Sequence, residues 1–600
     1  MRRLLRAALP GLSALAALAA PAAPQVDVSG RDGNVSVRGW SAWPSGVSKG
    51  YAPLTLEIEN SGESSCVVDV ELTNETWRGY SGRVLDAVLV GPGETAVREL
   101  LLPCFNAYRS SWQGEVRSSR RERIDFHFSG FGARAGQRMH HVVVARPDGD
   151  AGAAPDAWAE ALKTADVEPS HHVRATTSAS GPVPNARVSA VPFGQLPRRH
   201  EAYSSLDAVV VDGTREGLPD EVRLSALLRW ARQGGILVLA GRTAARQAER
   251  HPALGPWLEP RFELDRLGSA AAYSFGLGRL IVDRSDAFLG SDVSALLRSS
   301  LEQWLSWVPS PFGSKAAFPT LEIPGLSELP FRALTAFLVL FALLIGPANF
   351  AVARRLGRSY VTLYTIPALS AVACLFLLGY AFLSQGIDVK AAVETYSLLD
   401  QRTHHVATAE VRFFYAGLSP GRGLVPEAGS SCYPAYVPQD AVRDLGPQYR
   451  VEMESGLLLA GEYLPTRSPT RQCLLTDRTA RGRLELEPGA DETPLHNGLG
   501  GVIDELVLRD AGGSYWKLAA PVDDGGQGQL TPVGVHAAEQ WLADFTGGMP
   551  LLGSSDRLPP AVYAARLQSS PFRDDFGIEV NELAATHRVV GVLDLGEVPR

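Results

Sequence analysis

Two apolar stretches decide how this chain is organised: ALTAFLVLFALLIGPANFAV, residues 333–352, and TLYTIPALSAVACLFLLGYAFL, residues 362–383. Neither contains a charge. About 20 residues of helix at about 1.5 Å per residue cover roughly 30 Å, the thickness of a bilayer's hydrocarbon core. Two buried helices of a soluble core would carry polar residues at helical intervals, and these stretches do not. They are read as two transmembrane helices, with membrane lipids as partners.

The connector 353–361 carries Arg354, Arg355 and Arg358 and no acid. Short cationic loops stay on the cytoplasmic side, so the hairpin tip is expected inside and both long flanks outside. The N-terminus gives the same orientation. Arg2, Arg3 and Arg6 precede the apolar run Ala7 to Ala20 and the small residues Ala20-Pro21-Ala22-Ala23, which read as a signal peptide over residues 1–23. An uncleaved signal anchor is the alternative. The expected location is a bacterial cytoplasmic membrane with the bulk of the chain in the extracytoplasmic space, the periplasm.

A length of 600 residues with 45 % hydrophobic content supports several domains. A net charge of −8 leaves no basic footprint for nucleic acid. Lysine is scarce beside arginine, a bias of GC-rich bacterial codon usage. Of five cysteines, Cys374 falls in the second membrane helix. Cys66 with Cys104, and Cys432 with Cys473, form two pairs on exported segments, so two disulfides are expected. No Cys-x-x-Cys spacing of a zinc or redox site occurs.

From 26 to 147 the pattern is all-β: Leu54 to Glu59 alternates with period two, and Gly91-Pro92-Gly93-Glu94 separates two further strands. Short strands at this spacing imply an immunoglobulin-like β-sandwich. From 148 to 310 the period changes. Leu206 to Asp212 is a buried strand, Glu221 to Gln233 has helical spacing, Gly234-Gly235 ends that helix, and Ile236 to Ala240 is another buried strand. This is a parallel α/β unit. Residues 386–600 are again mostly β, with one helix over Val535 to Phe545 and one or two β units. The fold class is therefore multidomain α/β plus β-sandwich, with a transmembrane hairpin between the α/β and C-terminal β domains.

The run YSSLDAVVVDG…LPDEVRLSALLRWARQGGILVLAG resembles the class I glutamine amidotransferase-like fold, a flavodoxin-like sandwich, as carried by uncharacterised bacterial membrane proteins. The downstream GPANFAVARRLGR resembles a motif at the first membrane helix of such proteins. The resemblance covers residues 148–383. An active amidotransferase requires a cysteine nucleophile, and no cysteine occurs between Cys104 and Cys374. No catalytic position carries over, and the domain is expected to be silent for that chemistry.

Other candidates are weaker. Asp212 and Gly241 follow the carboxyl ends of two strands, where ligands of open α/β sheets collect, so they are the candidate ligand-binding residues, beside the reading as ordinary turn residues. The histidine pairs His140-His141, His171-His172 and His404-His405 face opposite ways along strands, and no metal is expected. Gly417-Leu418-Ser419-Pro420-Gly421 spells a nucleophile-elbow motif without the helix it needs, and Ser514 to Lys517 lies in a hairpin strand. No phosphate-binding loop or dinucleotide fingerprint is present, so no cofactor is expected. Pro347, Asn349 and Pro367 interrupt the membrane helices, which carry no charge of the kind a transport path needs. The leading expectation is a non-enzymatic scaffold or binding protein in an envelope complex. The alternatives are an accessory subunit of a membrane transporter and a hydrolase with an unrecognised site.

Overall fold

The computed structural model describes residues 26–41, 43, 47, 49–75, 81–104, 110–131, 140–148, 186–286, 290–303, 323–324, 331–358, 360–421, 423–435, 448–453, 457–461, 463–486, 493–546 and 557–594. The signal segment 1–23 and His171-His172 lie outside them. The described part is mixed α/β with large β-sheets and two apolar helices.

Alternating burial builds the N-terminal layers. Val35–Ser41 hides every second side chain, and Tyr51–Asn60 buries Leu54, Leu56 and Ile58 against one core. A four-stranded sheet runs Val26–Asp32, Val35–Ser41, Tyr51–Asn60, Thr95–Pro103. A six-stranded sheet runs Leu458–Gly461, Gln448–Glu452, Ser81–Val90, Cys66–Glu75, Ser110–Ser118, Arg123–Phe131. Trp112 is fully buried and stacks on Phe128 with ring centres 6.4 Å apart.

The six-stranded sheet redraws the expected boundaries. Its strands Gln448–Glu452 and Leu458–Gly461 come from beyond the two apolar helices, and the first pairs in parallel with Ser81–Val90, Val451 opposite Val84. The β layer of residues 26–147 is thus completed by the C-terminal region. His140–Arg146 also leaves that layer. Buried along its whole length, it joins the parallel sheet, where strands covered on both faces lose their alternation.

That seven-stranded sheet runs Ala186–Pro192, His140–Arg146, Ala208–Asp212, Ile236–Ala240, Gly278–Asp283, Ala270–Phe275, Glu263–Leu267. The first five strands are parallel and the last two form an antiparallel edge. Glu221–Arg232 is capped by Asp220, whose carboxylate accepts from Arg223 N, and buries Leu224, Leu227, Leu228 and Trp230. At Gly235 a Cβ would stand 2.4 Å from the Trp230 ring, and at Gly278 it would stand 2.0 Å from Ala231 O, so helix and sheet meet at glycines.

After the apolar helices, an eleven-stranded sheet contains Val389–Asp400, which pairs antiparallel with His405–Ala416 and parallel with Asn581–Val592. Ile503–Arg509 and Tyr515–Leu518 form the expected hairpin, and Val535–Thr546 is a helix.

The first apolar segment is helical over Phe331–Leu343, takes a π turn at Leu344–Ala348 around Pro347, and resumes over Asn349–Arg355. Proline removes one donor, and the wider turn absorbs the fault. The second runs Val361–Gln385. Phe337 stacks on Phe376 at 5.6 Å, and Thr365 Oγ1 donates to Asn349 Oδ1 at 2.7 Å near the tip. Leu338, Leu340, Leu363 and Leu375 are exposed, so the outer faces of both helices are apolar, as a helix able to cross a membrane requires. Because strands from both flanks share one sheet, the two flanks lie on one side of any bilayer that the helices cross.

The expected disulfides are corrected. All five cysteines are free. Gly50 O accepts from Cys104 N at one end of Tyr51–Asn60, whereas Cys66 pairs with Val90 near Asn60 at the other. Ten strand residues span about 30 Å, far beyond disulfide reach. Cys432 sits opposite Leu474, so its neighbour Cys473 projects from the other face of the sheet. Cys66, Cys104, Cys432 and Cys473 are buried and Cys374 is exposed. In detergent the four buried thiols of the folded chain are expected to resist N-ethylmaleimide, and all five are expected to react once it is unfolded without reductant; mass spectrometry that finds a mass loss of paired thiols contradicts this.

Candidate functional site

The carboxyl edge of the parallel sheet brings the two sequence candidates together. Asp212, Ala240 and Asp283 fall in one row across three strands, and Gly241 follows Ala240. Gly241 has φ +104°, and a Cβ there would stand 2.8 Å from Thr214 N, so this turn requires glycine. The Asp212 carboxylate accepts from Thr214 Oγ1 at 2.7 Å and Thr214 N at 3.2 Å. Asp283 accepts from Ser269 Oγ at 2.8 Å, Ser285 N at 2.9 Å and Ser285 Oγ at 2.7 Å. Both carboxylates bind their own turns, which is the work of turn aspartates.

Charged side chains concentrate instead where the layers meet. Arg232, at the end of its helix, donates from Nε at 3.0 Å and from a terminal nitrogen at 2.9 Å to Asp477 of the eleven-stranded sheet. Gln233 donates to Gly429 O at 2.7 Å, and Tyr51 OH donates to Cys432 O at 2.8 Å. The amino edge of the parallel sheet is held to the N-terminal layer by Lys49, whose Nζ lies 2.5 Å from Asp207 Oδ1, while His141 N donates to Oδ2 at 2.8 Å. Burial pushes the Asp207 carboxyl up, but Lys49 and His140 outweigh it and hold it well below the carboxylate range. Glu201 follows the same logic: burial raises it, and His200 with Arg199 brings it to about 2. Lys49–Asp207 and Arg232–Asp477 are buried pairs that join different layers, whereas the Glu201 cluster is local.

The eleven-stranded sheet holds a third cluster. Glu410, Thr395 and His587 occupy one row across three strands, with Thr395 Oγ1 2.9 Å from His587 Nδ1. Glu410 pairs with Arg412, which also donates to Asp574 O and lies over the Phe576 ring at 5.0 Å. Sequence reasoning missed this cluster, although Glu-x-Arg inside the apolar strand His405–Ala416 is the signal that could have found it.

Burial holds the His141 and His587 imidazoles at about 4, below the ordinary 6.5. Between those values the unfolded chain binds protons that the folded chain refuses, so the histidines cost stability as pH falls from 6.5 towards 4. Burial raises Glu99 and Glu410, which act in the opposite sense, so the histidine share is read by difference. His587→Gln is expected to flatten the fall in urea midpoint between neutral and mildly acid buffer; an unchanged slope contradicts it.

Two acidic groupings complete the survey. Glu427, Asp574 and Asp575 offer oxygens within 4.8 Å of one another. Asp574, however, accepts from Glu427 N and Phe576 N, and Glu427 pairs with Arg478 at 2.9 Å, so the cluster locks a loop. A groove of about 330 Å³ is lined by Asp69, Glu71, Asp86, Glu115, Arg117 and Glu452. Arg83 faces Glu71 at 2.6 Å and Arg450 faces Glu452 at 2.7 Å. His140 lies 3.6 Å from Asp207 and His405 lies 3.8 Å from Asp477, in separate clusters. Ser419 follows a strand and precedes no helix, and its N donates to Thr466 Oγ1, so it is no nucleophile elbow.

No family model and no curated protein matches this chain. Among solved structures, it aligns with a Northeast Structural Genomics Consortium target at 13 % identity and TM-score 0.14, covering 19 % of this chain and 96 % of that one. It aligns with a β-D-glucoside glucohydrolase from Trichoderma reesei at 17 % identity and TM-score 0.11, over 18 % of this chain and 19 % of the other. The yeast delta-COP-I mu-homology domain gives 5 % identity and TM-score 0.16, over 34 % and 96 %. At these TM-scores the likenesses carry no argument about fold or chemistry.

Proposed function

We propose that this chain is a membrane-anchored extracytoplasmic scaffold or binding protein of a bacterial envelope complex, with a catalytically silent amidotransferase-like domain. The observation that carries the reading is the sharing of one sheet, and of buried ion pairs such as Arg232–Asp477, by segments on both sides of the apolar hairpin. Such joints make one rigid body on a two-helix stalk, a form suited to holding partners. Numbered along the chain, the five parallel strands run 2-1-3-4-5, the flavodoxin-type order, which supports the amidotransferase-like resemblance. The absence of cysteine between Cys104 and Cys374 supports its silence. The cationic tip Arg354, Arg355 and Arg358 supports an extracytoplasmic body.

The test combines activity and assembly. Purified in mild detergent, the chain is expected to release no ammonia from glutamine and to run with defined envelope proteins at fixed stoichiometry in native mass spectrometry. Ammonia release that is lost in Asp212→Ala overturns the reading in favour of an enzyme.

A further inference from the structure

The Gly-x-Ser-x-Gly loop that fails as a nucleophile elbow has a distinctive position. The second membrane helix ends at Gln385, and the strand Val389–Asp400 begins four residues later. The intervening Gly386-Ile387-Asp388 is held against the loop: Gly417 N donates to Asp388 O at 3.0 Å and Leu418 N to Ile387 O at 3.2 Å. The approach is so close that a Cβ on Gly417 would stand 2.4 Å from Gly386 O. On this base, Ile387 is 59 % exposed and Leu418 48 % exposed, two large apolar side chains side by side in a body whose other apolar residues mostly face inward.

The helix geometry says what covers them. Its 25 residues span about 37 Å at about 1.5 Å per residue, longer than a hydrocarbon core of about 30 Å. The helix ends in the polar Ser384-Gln385, which puts the excess and the last turn in the headgroup layer, and Ile387 follows by two residues, at most about 7 Å of chain. We propose that Ile387 and Leu418 form an apolar foot that enters the interface of the leaflet from which this helix emerges. The ligand of the surface is the lipid acyl boundary. Asp388 and Lys390 carry opposite charges on the same segment, so apolar burial and not headgroup charge drives the contact. The foot fixes the stance of the body on the membrane, and it rests on the membrane-anchored reading above.

The test uses the full chain carrying Cys374→Ala, because the remaining native cysteines are buried. An environment-sensitive fluorophore is placed by Leu418→Cys, by Leu375→Cys within the helix, or by Leu89→Cys on the distant N-terminal sheet, where Leu89 is 67 % exposed. Each protein is reconstituted in vesicles of phosphatidylcholine alone or with phosphatidylglycerol. The expected result is several-fold stronger quenching by a doxyl-labelled lipid at 418 than at 89, alike in both vesicles. Strong quenching at 375 with none at 418 overturns the foot and leaves the anchor standing. No lipid quenching at 375 overturns both. Protection at 418 from lipid quencher and aqueous iodide together means that protein covers the foot, and it also overturns the proposal.

Discussion

A chain cut after Gln385 is expected not to fold, although it retains the N-terminal layers and the whole parallel sheet. The cut removes Gln448–Glu452 and frees the edge of the strand Ser81–Val90 over the five residues Ser81 to Leu85. It removes Cys432 O from Tyr51, Gly429 O from Gln233 and the Asp477 carboxylate from Arg232. Tyr51, Arg232 and Gln233 are buried in the whole chain, so the cut opens to water a surface that the C-terminal sheet covers. Each 100 Å² of apolar surface so exposed costs about 2.5 kcal/mol, against a total stability of about 5–15 kcal/mol for a domain. The expected readout is loss of cooperative unfolding and rapid proteolysis of the truncated chain, with rescue when exported residues 386–600 are co-expressed. Cooperative melting of the truncated chain by itself contradicts the shared body.

The second large effect is local. Asp477→Ala is expected to lower stability by about 3–5 kcal/mol, read from the urea midpoint, because it strands Arg232 in a desolvated site with Arg229 and His405 nearby. Arg232→Ala exposes the reciprocal fault, a carboxylate whose surroundings are closed to water. The double substitution Arg232→Met with Asp477→Leu removes both charges at similar volume and is expected to recover most of the loss. A purely additive double variant contradicts the claim that the two side chains act as a pair.

What could be read from the sequence follows the range of each signal. The apolar hairpin is legible because absence of charge over about 20 residues needs no knowledge of neighbours. Leu206 to Asp212 and Ile236 to Ala240 are legible because strands buried on both faces are continuously apolar. Gln448–Glu452 reads QYRVE, an alternation only five residues long, and only its parallel partner far back in the chain makes it a strand. The disulfide expectation failed for a related reason: sequence separation says nothing of which face of a sheet, or which end of a strand, a cysteine occupies. Asp477 and Arg232 look like surface residues in one dimension, and only tertiary contact shows them as a buried pair. Asp212 and Gly241 are legible as strand-end positions because composition marks strand ends, whereas the partners that consume Asp212 depend on turn geometry.

The central claim is that both flanks of the hairpin form one body on the far side of the membrane from the arginine-bearing tip. The most direct measurement places alkaline phosphatase, active only after export, at Gly357 in the tip or after Arg600, in full-length chains. Activity after Arg600 with silence at Gly357 is the predicted result; activity at Gly357 with silence after Arg600 contradicts the claim.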